Sequence, residues 1–165
     1  MGQVLLRQIR ATDIEGFHAA RCTVARDRRR LATNELPPRE HAVALATRSI
    51  DGGWPFIVAL GGETLVGYCD VSPIPRKAAP HVGELGIAIV PEWRDRGIGR
   101  RLMIAALDAG WRYGFSRIQL SVYASNERAV ALYRKMDFIE EGRLRRSVQV
   151  DGVFHDEILM AIVRD

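Results

Sequence analysis

Between Arg94 and Arg101 the chain reads R-D-R-G-I-G-R-R, and residues of these types at this spacing suit an anion. Gly97 and Gly99 would let a ligand come close to the backbone. A helix opening at Ile98 would aim unpaired N–H groups and the positive end of its dipole at that ligand. The chemistry implied is the holding of a phosphate-bearing molecule. Spacing separates three phosphate motifs. A P-loop requires Lys and then Ser or Thr after its last glycine, whereas Arg100 and Arg101 follow Gly99. A G-x-G-x-x-G dinucleotide fingerprint would put Leu102 at its third glycine and would sit past mid-chain rather than after a first strand. The third motif, R-x-x-G-x-G, is filled by Arg94, Gly97 and Gly99 behind a segment ending in Val90 and Pro91.

With that motif the chain resembles the GCN5-related N-acetyltransferases (GNAT), whose acetyl-CoA pyrophosphate lies on such a loop. A second block of that family, an Asn followed by a helix that carries a Tyr and ends in Gly-Phe, resembles NERAVALYRKMDF, with Asn126, Tyr133 and Phe138. Asp137 stands where the pattern has Gly, a departure that concerns the helix end and not the chemistry. The opening IRATD, Ile9 to Asp13, and the tail GVFHDEI, Gly152 to Ile158, extend the likeness; the tail is similar to the phosphinothricin and amino-acid N-acetyltransferase branch.

The resemblance implies transfer of acetyl from acetyl-CoA, as cosubstrate, to a primary amine by direct attack, with a small amino-acid-like acceptor first and a protein N-terminus or lysine as the alternative. A non-catalytic CoA-binding sensor or an RNA-binding module is the reading of another class. The donor would be held by backbone amides of Arg96, Gly97, Ile98, Gly99, Arg100 and Arg101, with Arg94, Arg96 and Arg101 as charge partners for phosphates. The backbone of Ile87, Ala88 and Ile89 would pair with the pantetheine, and Asn126 and Ala129 would complete the cofactor contacts. An amine near pKa 10 must lose a proton before it attacks. Glu84 is the candidate base, with His81 or a water chain as alternatives; Glu84 also suits a plain charge pair. Tyr133 can protonate the departing thiolate, and it also suits a core position beside Ala129 and Val130. His155 and Asp156 fit either the acceptor pocket or a cross-strand polar pair.

Positioning these residues needs a strand before the loop and a helix after it. Alternation over His81 to Val90 puts Leu85, Ile87 and Ile89 on one face and Glu84, Gly86 and Ala88 on the other. A helix from Ile98 to Tyr113, with Leu102, Ala105, Ala106 and Ala109 inward, stops at Gly114. Upstream, Val4 to Arg10 reads as a strand. A Thr12–Glu15 capping box then starts a helix through about Arg30 with a stripe of Ile14, Phe17, Val24 and Leu31. Asn34 to Pro38 breaks it, and His41 to about Ile50 forms a second helix. Phe56–Leu60 and Thr64–Val71 form a hairpin, followed by the loop Pro73 to Pro80. Downstream come a strand at Arg117–Tyr123, a helix at Glu127–Met136, and strands Phe138–Val150 and Val153–Val163 joined by Asp151-Gly152. The fold class expected is a mixed α/β sheet of about seven strands flanked by about four helices, in one domain over residues 1–165.

The chain has 165 residues, 47% hydrophobic and 27% charged, as in an ordinary globular protein rather than a disordered one. No apolar run is long enough for a membrane span, and the N-terminus lacks a signal-peptide pattern, so the expectation is a cytoplasmic protein without membrane partners. Cys22 and Cys69 lack metal or disulfide spacing and read as buried reduced thiols, and no metal is expected. The net charge of +4 raises nucleic acid as a partner, but much of it lies in the anion loop. The cluster Arg26, Arg28, Arg29 and Arg30 has no interleaved aromatics, and no nucleic acid is expected. Pairing through the C-terminal strands would give a homodimer.

Overall fold

A computed structural model describes residues 3–27 and 36–164. Seven strands form one sheet: β1 (Val4–Gln8), β2 (Phe56–Gly61), β3 (Thr64–Pro73), β4 (Val82–Ile89), β5 (Arg117–Tyr123), β6 (Ile139–Val150) and β7 (Val153–Val163). Four helices accompany it: α1 (Ile14–Arg26), α2 (Arg39–Gly52), α3 (Ile98–Tyr113) and α4 (Glu127–Lys135). The sheet order is β1-β2-β3-β4-β5-β7-β6, antiparallel except for β4 against β5. This is the mixed sheet that the element order predicts. The expected tail of α1 at Arg28, Arg29, Arg30 and Leu31, and the start of the break at Asn34, lie outside the described residues.

The parallel junction positions the site. Only Val82↔Arg117, Gly83↔Ile118 and Glu84↔Gln119 pair, so past Glu84 the two strands splay. Residues directly opposite in an antiparallel pair share a face. Asp70 lies opposite Gly86, Ser72 opposite Glu84 and Tyr68 opposite Ala88, which puts these six on one face. That face meets α1, where Phe17 packs edge-on to Phe56 and Tyr68 at 4.9 and 4.8 Å. The other face carries Cys69, Val71, Leu85, Ile87 and Ile89 and receives α3 and α4. Close approach there demands small residues: a Cβ on Gly110 of α3 would lie 2.9 Å from Ile118 Cδ1.

Boundaries follow local chemistry. α3 runs over the predicted span and ends on Gly114 at φ 114°. Its buried stripe is Leu102, Met103, Ala106, Leu107 and Gly110, so the inward face is turned from the expected Ala109 toward Met103 and Gly110. The capping box expected at Thr12 and Glu15 is absent from the hydrogen bonds. Instead a 3-10 turn at Ala11–Asp13 precedes α1, and the Asp13 carboxylate accepts from the Arg10 N–H at 2.7 Å and from Arg7 at 2.6 and 2.8 Å. Glu15 pairs with Arg39 across α1 and α2. The Asp151-Gly152 turn has φ 49° and 79°, a type I′ geometry that matches strand twist. Cys69 is buried as expected, whereas Cys22 is half-buried beside His18 on the next turn of α1.

Candidate active site

The loop 94–97 is braced from within. Arg94 donates through Nε to the Ile89 carbonyl at 3.0 Å and through Nη1 to Asp27 Oδ2 at 2.5 Å. It thereby ties the end of β4 to the end of α1. Gly97 takes φ 72°, a left-handed conformation where a Cβ is disfavoured, and turns the chain into α3. Gly99 is buried, and a Cβ there would meet Ile89 Cδ1 at 3.2 Å and Leu132 Cδ2 at 3.4 Å. The first amides of α3 thus open onto the space between β4 and α4.

That space is an open-sided cleft of about 250 Å³. Ile87, Ala88 and Ile89 form one wall, Gly97 to Arg100 the end, and Asn126, Arg128, Ala129, Leu132 and Tyr133 the other wall. Val24 of α1 also reaches it, so the cleft passes through the splay from one sheet face to the other. Asn126 is also the N-cap of α4, its side chain accepting from Ala129 N–H at 3.3 Å. Ile87 and Ile89 are half-buried rather than core, because they face the cleft.

The arginines divide. Arg94 and the exposed Arg100 line the cleft. Arg96 turns away onto Trp93, 4.7 Å from the ring, and donates to the Glu92 carbonyl at 2.9 Å. Arg101 reaches the opposite way and donates to the Val4 carbonyl at 2.9 Å. Expecting charge partners at 96 and 101 counted arginines by spacing; one turn of helix puts position 101 behind the loop. Sequence reading missed Arg128, which lines the cleft and pairs with Asp95 at 2.7 Å, and the apolar Val24, Trp93 and Leu132. The i, i+4 spacing of Arg128 and Leu132 on a helix that also bears Ala129 and Tyr133 is the signal that was available for two of them.

Tyr133 sits at the inner end, 7% exposed, on the face of Cys69. Burial, with Cys69 nearby, pushes its phenol well above the ordinary tyrosine range, so it stays protonated. Glu84 is exposed at the last paired position before the splay, on the opposite face and outside the cleft lining. His81 is exposed at the strand start. His155 stacks on Tyr123 at 5.2 Å, while Asp156 accepts from Arg143 and from the Arg146 N–H; the two do not pair with each other. Beside Glu84 lies a residue the sequence reading passed over. Asp70 is 8% exposed, and burial raises its carboxyl to about 7, against the opposing pull of Arg21. Among the described residues, no group of three or more His, Cys, Asp or Glu could hold a metal ion.

The arrangement offers a helix-end anion site, a narrow channel along a strand backbone, a protonated phenol on one face and carboxylates on the other. The acetyltransferase (GNAT) family matches residues 22–138. The N-alpha-acetyltransferase RimI of Mycobacterium tuberculosis is 36% identical over 100 residues, 59% of this chain and 60% of that protein. The chain thus matches only about three fifths of that relative's length. The L-amino acid N-acetyltransferase AaaT of Escherichia coli is 25% identical over 99% of this chain and 100% of that protein. Among solved structures, the Sinorhizobium meliloti phosphinothricin acetyltransferase in complex with AcCoA superposes with a TM-score of 0.87 at 23% identity, covering 98% of this chain and 88% of that one. The family match spans most of the chain, and the chain belongs to the acetyltransferase (GNAT) family.

Proposed function

We propose that the protein is an acetyl-CoA-dependent N-acetyltransferase that acts on a small amino-acid-like amine by direct attack. The observation that carries this reading is the cleft itself, which opens on both faces of the sheet. One substrate can lie along Ile87–Ile89 with its phosphates at Gly97–Arg100 while the other approaches from the α1 face. The match to AaaT over the whole of both chains favours the amino-acid acceptor.

The residues present suit acetyl-CoA. Free amides at the start of α3 and the exposed Arg100 suit phosphates, and the half-buried apolar wall suits a pantetheine arm. When bound, acetyl-CoA supplies the activated acetyl group. In this reading the β4 backbone holds the thioester carbonyl near a main-chain N–H, which stabilises the developing oxyanion. Glu84 accepts the ammonium proton of the acceptor. Tyr133 donates a hydrogen bond to the leaving sulfur, which stabilises the developing thiolate; burial raises the phenol's proton affinity, so it is protonated when the sulfur departs. Neither cysteine acts as nucleophile: Cys69 is fully buried with its thiol pushed far up, and Cys22 lies outside the cleft lining.

The test is release of CoA thiol from acetyl-CoA with free amino acids, polyamines, aminoglycosides and N-terminal peptides as acceptors. Turnover confined to free amino acids and their analogues is expected. Turnover with N-terminal peptides alone would replace the acceptor class, a second reading favoured by the identity to RimI.

A further inference from the structure

Two opposite charges, Arg21 and Asp70, lie between α1 and the sheet face that it covers. Arg21 belongs to the sheet-facing side of α1, one turn after the fully buried Phe17 and one turn before Ala25. Its Nη1 atom is buried without a hydrogen-bond partner. Asp70 belongs to the α1-facing side of β3, 8% exposed. Its carboxyl lies directly over the β4 backbone, with Oδ1 2.9 Å from where a Cβ on Gly86 would be. A Cβ at 86 would force that carboxyl to shift. Among the described residues no ion pair within 4 Å joins Arg21 to any carboxylate, so the two charges face each other without closing into a bridge.

Leaving a buried donor orphaned costs about 1–3 kcal/mol, and more for a charged group. Burying an unpaired carboxylate is worse. Such an arrangement is poor as a structural device, since a closed ion pair or two apolar side chains would serve better. It is well suited to holding a proton. Glu84 is the diagonal neighbour of Asp70 across the β3–β4 pair, on the same face and close enough for its charge to act on the Asp70 carboxyl. Glu84 faces solvent at the splay and Asp70 does not.

We propose that Asp70 is the terminal acceptor of the proton that the acceptor amine gives up, and that Glu84 passes this proton inward to it. The inference rests on the proposed acetyl transfer. The ammonium N–H bond breaks toward the Glu84 carboxylate, and the proton moves on to Asp70. The freed nitrogen lone pair then forms the C–N bond as the C–S bond breaks, and the second N–H proton lost in forming the amide ends on the departing sulfur. Asp70 returns its proton to solvent through Glu84 once product has left. Asp70 acts through Glu84 and is therefore a positioning residue, with Arg21 setting how readily it ionises.

The groups facing Asp70 are Arg21 from α1, Tyr68 on its own strand and Glu84 from β4, while β2 presents the apolar Phe56. Arg21 favours the ionised carboxyl and Glu84 opposes it. The experiment is the pH profile of kcat/KM for wild type, Asp70→Asn and Arg21→Gln, beside a carbon-13 NMR titration of the aspartate carboxyls in the full chain. Wild-type kcat/KM should rise through a midpoint near 7, matching the Asp70 titration. Asp70→Asn should remove that rise and lower kcat/KM at least about tenfold at pH 8. Arg21→Gln should move both midpoints upward together. Uniform loss at every pH, no loss, or midpoints unmoved in Arg21→Gln would overturn the proposal. An Asp70 carboxyl that does not titrate near neutrality would do so whatever the activity. Should Asp70 titrate as described while no amine is acetylated, the acetyl-transfer reading fails, and the relay with it.

Discussion

At the residue scale the decisive contrast is between two buried hydroxyl and carboxyl groups on opposite faces of one sheet. Tyr133 has its phenol raised by burial, and Asp70 has its carboxyl raised by burial to about 7. The first is expected to matter for turnover and not for binding. Tyr133→Phe should lower kcat at least about tenfold while acetyl-CoA affinity stays within about twofold, measured by steady-state kinetics and calorimetry. An unchanged kcat would remove its acid role. The second also carries a stability signature with a definite sign. Between about pH 4 and 7 folded Asp70 binds a proton that the unfolded chain has released, so its contribution to stability falls as pH rises through that window and levels off above it. Asp70→Asn is therefore expected to gain on wild type between pH 5 and pH 8, by up to about 2–3 kcal/mol in urea denaturation. A stability difference independent of pH would show that Asp70 ionises as an ordinary exposed carboxylate does.

At the element scale the cleft depends on how α1, β4 and α4 are held. The Arg94–Asp27 contact fastens α1 to the loop, with side chains 13% and 27% exposed. Arg94→Gln removes this contact, and should lower stability by about 1 kcal/mol and raise the KM for acetyl-CoA about fivefold, both reversed in part by Arg94→Lys. A lower melting temperature with unaltered KM would make the contact purely structural. α4 ends on Asp137 at φ 65°, the position where the family pattern has Gly. Asp137→Gly should add about 0.5–1 kcal/mol of stability, seen as a higher denaturation midpoint, without altering kcat. These elements were legible from sequence because their signals are local: Gly114 stops α3, Asn126 caps α4, and Asp151-Gly152 closes β6 on β7. The start of α1 was misread because Thr12 and Glu15 satisfy the capping pattern, while the Asp13 carboxylate instead holds the Arg10 N–H and the Arg7 guanidinium and a 3-10 turn precedes the helix. Nothing in a linear pattern ranks those competitors.

At the scale of the whole molecule, the proposed function rests on one break in an otherwise continuous sheet. The β4–β5 junction pairs over only three residues, and both faces of the sheet become accessible through it. The order of elements predicted this sheet. What sequence did not reveal was which arginines face inward, since Arg96 folds back onto the neighbouring Trp93 and Arg101 is drawn to the β1 backbone, a contact made from a distant part of the chain. Nor did it reveal Asp70, whose meaning arises from Gly86 on the next strand and Arg21 on a helix 49 positions earlier.

The central claim, that acetyl-CoA occupies the cleft at the start of α3, is tested most directly by calorimetric titration of acetyl-CoA into wild type and Gly99→Val. A Cβ at 99 already presses on Ile89 and Leu132, and the two further methyl groups of Val would project into the cleft. One-site binding to wild type, weakened at least about tenfold in a variant whose circular dichroism is unchanged, is the predicted result. Equal affinity in the two proteins, or no binding to wild type, would contradict it.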